Sequence, residues 1–219
     1  MTTATPTVMT LLKESTRDQH TRAERHEMQS ALVRGQLPIE SYSRYLAQLR
    51  HVHETLESSL VAAAHSDPRV GTVVRESQFR LDAIDADLDH FGMSETDGEA
   101  TIATSSLCRR IDDVSMDDPI ALLGFHYVLE GSTNGGRFIA RAICGAYDCE
   151  PGGAGTRYLD PYGDRQTDEW VRFREDMESL ELTGEETERI IESASEMFDG
   201  ITAIMDSLSG TNAPEPTRA

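Results

Sequence analysis

Residues 39–60 read IESYSRYLAQLRHVHETLESSL, with apolar side chains at Ile39, Tyr42, Leu46, Leu49, Val52, Leu56 and Leu60. Spacings of three and four, sustained over the whole segment, describe one apolar face of a long α-helix. Pro38, just before it, suits a helix start. The same period recurs on both sides. Towards the N-terminus, a helix is expected from about Thr7 to Arg34, stopped by the turn RGQLP. Beyond residue 60, DPRV restarts the chain, and Val70, Val73, Val74, Leu81, Ile84 and Leu88 mark a third helix ending near FGM. A polar segment, SETDGEA, precedes a shorter helix through Leu107 and Ile111.

Asp117 or Asp118, followed by Pro119, opens the most apolar part of the chain, PIALLGFHYVLEG. That helix is expected to continue through STNGGRFIARAICGAY despite its glycines. CEPGGAGTRYLDPYGD reads as a long loop. A helix from Thr167 to Leu180 follows, and the last helix opens with the capping box TGEE at Thr183. No period-two run is long enough for a strand, and no repeat or linker divides the chain. The expectation is an all-α fold, a single-domain multi-helix bundle over residues 1–210 with a polar C-terminal tail, 211–219.

Composition narrows the partners. The 219 residues carry a formal net charge of -19, which opposes binding to nucleic acid or an anionic membrane. Lys13 is the only lysine. Such an acidic, lysine-poor surface suits either a very salty cytosol, where salt screens carboxylate repulsion, or simply an acidic protein from a high-GC genome. Cys108, Cys144 and Cys149 form no CxxC pair, so neither a disulfide framework nor a zinc site is indicated. The first residues do not read as a basic-then-apolar signal peptide, and no apolar run approaches 18 residues, so no membrane span is expected. A soluble cytoplasmic protein, a monomer or a weak homodimer, is expected.

The stretch 13–22, KESTRDQHTR, contains no apolar side chain yet favours a helix by composition. A helix turns about 100° per residue, so Lys13, Arg17, His20 and Glu24 share a narrow arc, with the small Thr16 and Ala23 beside them. Two cations, an imidazole and a carboxylate in a row could lie under a flat anionic group that takes a ligand from below. Ferric heme has that form: an apolar macrocycle, an open axial position and two propionates. The plainer reading is a solvated helix face, since charged neighbours at this spacing are common and a single histidine is more often structural than a ligand.

A second stretch, 127–138, reads YVLEGSTNGGRF. Each helix-interior glycine costs roughly 1 kcal/mol relative to alanine, so Gly131, Gly135 and Gly136 call for compensation. Gly131 and Gly135 share a face, and Ser132 and Gly136 share the next. A bare stripe of this kind suits a helix laid across a cofactor, or close packing of helices through small residues. A phosphate loop is excluded, since no strand precedes GSTNGG and it lacks the P-loop spacing and lysine.

Together these segments resemble the heme oxygenase family. LKESTRDQHTRAE is similar to the family's proximal helix, YVLEGSTNGGRFIARAI to its distal helix in the EGST-GG form of prokaryotic members, and FREDMESLELTGEETERIIESASEMF to its C-terminal pattern. The three lie in the family's order and separation. The resemblance implies His20 as proximal iron ligand, with Glu24 nearby on the same face. It implies Lys13, Arg17 and Arg174 at the propionate edge, Gly131, Ser132, Gly135 and Gly136 as distal ceiling, and Phe198 as pocket lining. The implied activity turns heme b, as substrate and cofactor, with O₂ and an external electron donor into biliverdin, CO and Fe²⁺. A ferredoxin or flavoprotein reductase is the implied partner.

Two positions depart from the family pattern. Animal-type members carry a distal aspartate where this chain has Ser132, whose hydroxyl orders water but carries no charge. A family tyrosine near the propionates falls at His126, with Tyr127 beside it; His126 either bonds a propionate or is a core histidine. Three other functions stay open: a non-heme di-iron oxidase, a thiaminase-like enzyme on the same architecture, and a non-degrading heme-binding protein. A di-iron site wants Glu-x-x-His pairs, and ExxH is absent, although Glu54 and Glu130 could serve. A thiaminase wants a cysteine with a base beside it. A carrier needs no glycine ceiling.

Overall fold

The N-terminal stretch expected as one helix divides into three: α1 (Val8–Ser15), α2 (Arg17–Arg25) and α3 (Glu27–Val33). The computed structural model describes residues 6–93, 98–147 and 149–209, so most of SETDGEA and the tail 211–219 lie outside them. The first break falls at Thr16, buried, whose hydroxyl donates to the Leu12 carbonyl at 2.8 Å. Such back-bonding bends a helix. The second falls at His26, which leaves helical geometry (ψ 139°) and caps α3, its Nδ1 accepting from the Met28 N–H at 3.2 Å. The turn that ends α3 rests on Gly35, at φ 63°, with its backbone against that of Ala142; a Cβ there would stand 2.5 Å from the Ala142 carbonyl oxygen.

The central helix α4 (Ile39–Ser66) spans the full expected range. It stops where Asp67 turns extended and caps α5 (Pro68–Val73), with Pro68 in the first turn. The expected third helix also divides, into α5, a short 3₁₀ turn (Glu76–Gln78) and α6 (Leu81–His90). Side-chain acceptors take the backbone donors that a continuous helix would have used. The Gln78 carboxamide accepts from Arg75 N–H at 2.7 Å, and the Glu57 carboxylate accepts from Arg80 N–H at 2.6 Å.

The remaining helices are α7 (Ile102–Asp117), α8 (Leu122–Tyr147), α9 (Gln166–Glu178) and α10 (Gly184–Ser209). Helix α8 runs unbroken through its glycines. Helix α10 opens with the expected capping box: Thr183 Oγ1 accepts from Glu186 N–H, and the Glu186 carboxylate accepts from Thr183 N–H at 2.8 Å. Among the described residues every regular element is helical. Helices α4, α8 and α10 supply most of the core, through Leu46, Leu49, Val52, Leu56, Leu122, Leu123, Phe125, Ile190, Ala194 and Met197. Helix α10 lies against α8 closely, because Gly124 admits its backbone: a Cβ there would sit 2.0 Å from the Ile190 carbonyl oxygen. Helices α1 and α2 pack on the same α10, and α9 packs on α1 and α8. Among the described residues no helix is long and apolar enough to cross a membrane.

Candidate functional site

Helix α2 contains no buried residue, although it lies on α10. On α10, the exposed His20 ring meets Phe198 edge-on, centroids 5.5 Å apart, and Arg22 donates to the Asp199 carboxylate at 2.9 Å. The Nδ1 of His20 stands 3.4 Å from the Glu24 carboxylate, and Nε2 has no hydrogen-bond partner among the described residues. The side chain is 55% exposed. A carboxylate this close to Nδ1 favours a proton on that nitrogen and leaves the other side of the ring for a ligand. His20 and Glu24 are therefore neighbours on α2, as their spacing predicts, while Lys13 lies across the break at Thr16 in the last turn of α1 and Arg17 opens α2, both exposed.

Helix α8 turns a bare face outward. Gly135 is exposed, and a Cβ built on it would meet nothing within 4 Å. Gly131 is half-buried, and its nearest neighbour is the Trp170 ring, 3.5 Å from such a Cβ. Ser132 is exposed, its hydroxyl donating to the Leu129 carbonyl at 2.7 Å. Phe138 is 69% exposed one turn further along. Gly136 belongs elsewhere. It is buried, and a Cβ there would fall 2.2 Å from the Leu159 carbonyl oxygen, so this glycine admits the long loop rather than a ceiling.

At the α9 end, Arg174 is half-exposed and 3.7 Å from Glu178, which in turn accepts from Thr7 Oγ1 at the start of α1. Tyr127 is half-buried; burial raises its pKa, and the nearby Arg174 charge offsets part of that rise. Its ring is tilted against Trp170, which stacks on Phe173 at 5.4 Å. Arg174, Tyr127 and Trp170 therefore form one cluster beside the glycine face. His126 does not join it. Its ring is buried, Nε2–H donating to Gln78 Oε1 at 3.1 Å, with Phe173 edge-on at 5.6 Å. Burial, aided by the charge of Arg80, holds its pKa down at about 3. Of its two readings, the structure carries the core histidine, because the ring faces inward from the side of α8 opposite solvent.

Behind α8 lies a charged core that sequence reasoning missed. Glu130 accepts from Arg80 Nη2 at 3.1 Å and from the Tyr162 hydroxyl at 2.8 Å, and the Arg80 guanidinium lies 4.5 Å from the Tyr162 ring centroid. Arg80 and Glu130 are both almost wholly buried, and burial raises the Glu130 pKa against the pull of Arg80. His53 donates from Nδ1 to Glu57 at 3.0 Å. A cavity of about 10 Å³, the size of one water, is lined by His53, Glu57, Gln78, Arg80, His126 and Glu130. The legible signal was a glutamate inside PIALLGFHYVLEG, since a carboxylate in so apolar a run needs a partner.

The sequence profile described as Heme oxygenase matches residues 7–207. Heme oxygenase 1 of Homo sapiens is 27% identical over 192 residues, covering 85% of this chain and 66% of that protein. The heme oxygenase of Takifugu rubripes is 25% identical over 193 residues, 86% of this chain and 69% of its own. The chain thus spans about two thirds of the length of these relatives. Among solved structures, heme oxygenase-1 from the cyanobacterium Synechocystis in complex with heme superposes with a TM-score of 0.86 at 19% identity, covering 94% of both chains. A TenA homologue from Pyrococcus furiosus superposes at 0.68 and 12% identity, over 92% of this chain and 99% of that one. Such distant likenesses define the fold and leave the chemistry to the side chains. With a profile match over nearly its whole length, the chain belongs to the heme oxygenase family.

Proposed function

We propose that the protein binds heme between α2 and the glycine face of α8 and oxidises it to biliverdin, CO and Fe²⁺. The observation that carries the reading is His20: an outward imidazole, oriented by Glu24 and Phe198, on a helix with no buried side chain of its own. The apolar surface that α2 lacks would come from the porphyrin. The donor set fits the group, because an exposed imidazole nitrogen with no hydrogen-bond partner could ligate iron, and cations stand on the neighbouring turns. When bound, heme supplies O₂ activation and is itself the substrate consumed.

The chain's own groups then have separate tasks. His20 Nε2 would hold iron, while Glu24 keeps the Nδ1 proton and stops ring rotation. Lys13, Arg17 and Arg174 would pair with propionates as exposed partners, so each adds little affinity alone and more to orientation. Gly131 and Gly135 leave room for a plane to lie against the backbone. With its proton given to Leu129, Ser132 Oγ can accept from water and so hold a donor near the reacting edge. Phe198 and Trp170 narrow the access of bulk water. Electrons would come from a ferredoxin or flavoprotein reductase. Against a net charge of -19, docking an acidic donor needs a local arginine patch or high salt.

The alternatives on this fold are less well supported. Glu54 is engaged by Arg50 and Glu130 by Arg80, and among the described residues no three His, Cys, Asp or Glu side chains converge on a metal position. The Cys108 thiol donates to the His51 carbonyl and is raised by burial, which opposes a nucleophilic role.

Trp170 is the only tryptophan and sits beside Gly131, so hemin seated there should quench its fluorescence. The test is hemin titration followed by quenching and absorption spectra, then aerobic turnover with reductant, watching for bilin absorbance and CO. Saturable one-to-one binding that loses its axial-ligand spectrum in His20→Ala supports the reading. An identical spectrum for parent and His20→Ala, or binding without bilin or CO, overturns it.

A further inference from the structure

Two of the three cysteines meet where α8 ends. Cys144 lies in its last turn and Cys149 just beyond it, with their sulfurs 3.1 Å apart. The backbone already links the two residues, Cys149 N–H donating to the Cys144 carbonyl at 3.4 Å. A disulfide bond is about 2.05 Å long, so closure asks for an approach of about 1 Å, within reach of side-chain rotation. The juxtaposition is held from outside. Thr156 is wholly buried, donates to the Glu150 carbonyl at 2.7 Å and accepts from Gly152 N–H at 3.0 Å, which fixes the turn following Cys149. The Cys144 thiol points at the same hydroxyl, 4.0 Å away. Neither cysteine is fully buried, so a small oxidant can reach them.

We infer that Cys144 and Cys149 are a modification site: a dithiol that closes to an intramolecular disulfide when exposed to a hydroperoxide. One thiolate attacks the peroxide O–O bond and takes one oxygen as a sulfenic acid; the other oxygen leaves as hydroxide and is protonated to water. The second sulfur then displaces the sulfenic oxygen, which leaves with a proton as the second water. Two thiols lose two electrons, and one hydrogen peroxide becomes two waters; an organic hydroperoxide gives its alcohol and one water. The nearness of the second sulfur gives it a high effective concentration, so ring closure outruns further oxidation and cross-linking between molecules.

The bond would add a covalent tie between α8 and the loop after it. That loop is already fastened at several points: Gly155, Arg157 and Tyr158 donate their N–H groups to the buried Asp87 carboxylate, and the Leu159 carbonyl rests on Gly136. The end near Cys149 is the part the disulfide would newly restrain, on the helix that carries the glycine face.

The experiment uses the full chain, reduced and then exposed to hydrogen peroxide under native conditions. Remaining thiols are alkylated, and the protein is digested with trypsin. Cleavage after Arg141 and Arg157 places both cysteines in one peptide, 142–157, while Cys108 falls in another and serves as an internal control. The expected product is peptide 142–157 lighter by two hydrogen atoms and unalkylated, formed on the order of tenfold faster than any loss of the Cys108 thiol. Cys144→Ser and Cys149→Ser should each leave a trappable sulfenic acid on the remaining sulfur. Amide exchange near residues 149–156 should slow in the oxidised parent but not in either variant. A doubly alkylated peptide after oxidation, a disulfide between molecules, or equal reactivity at Cys108 overturns the inference. None of these readouts depends on heme, so the result stands apart from the proposed activity.

Discussion

Gly135 and Gly136 are adjacent, of one residue type, and kept for different reasons. A methyl group on Gly135 enters open space, whereas one on Gly136 strikes the Leu159 carbonyl oxygen at 2.2 Å. Gly135→Ala should therefore leave stability unchanged or raise it by up to about 1 kcal/mol, from helix propensity. It should also weaken hemin binding, because the new methyl occupies the bare face. Gly136→Ala should do the reverse: a loss of roughly 1–3 kcal/mol from overpacking, with hemin affinity per folded molecule retained. Urea unfolding and hemin titration on both variants separate the two roles. If both substitutions destabilise alike and leave hemin binding untouched, the open face of α8 is not a ceiling for anything. The sequence alone could not divide this pair, because periodicity reports which residues share a face and not which neighbour arrives there from a loop.

Among the elements, α6 and α8 are fastened through Arg80, Glu130 and Tyr162. Breaking a buried ion pair from one side leaves the other charge without compensation and costs about 3–5 kcal/mol. Arg80→Met should thus lower stability strongly in urea unfolding. Glu130→Gln, which keeps a hydrogen-bonding group but strands the guanidinium, should cost a similar amount. A small loss in both would mean that water reaches the pair. Such a contact spans 50 residues of sequence, which is why it escaped a reading built on local pattern. What that reading captured were elements whose own period decides them: α4, α8 and α10, each long and striped. It missed the divisions at residues 16, 26 and 74–80, because there single side chains (Thr16, His26, Gln78, Glu57) take over backbone partners, and nothing in the hydrophobic pattern marks that competition. The candidate site divides in the same way. His20, Glu24 and Gly131 were legible by spacing, whereas Trp170 reaches Gly131 only through the packing of α9 on α8.

For the molecule as a whole, acid acts in two opposing directions. The net charge of -19 repels itself at neutral pH, and protonating surface carboxylates relieves that strain. The interior works against acid through His126. Its folded pKa, about 3, lies below the ordinary value of 6.5, so the unfolded chain binds the proton first. Stability from this group is complete above pH 6.5 and is lost as the pH falls from there towards 3, by up to roughly 1.4 kcal/mol per pH unit. His53, lowered chiefly by burial, pulls the same way. Glu130 and Asp87, both raised by burial, pull oppositely lower in the range. Salt distinguishes surface from interior, since it screens exposed carboxylates and barely touches a buried ring. The melting temperature at pH 7 should therefore rise with salt. In high salt, acidification from pH 6.5 to 4.5 should still lower it, and His126→Gln, which keeps a donor for Gln78, should flatten that slope. An acid slope identical in parent and variant would mean that the ring is hydrated and that the charged core behind α8 is open to water.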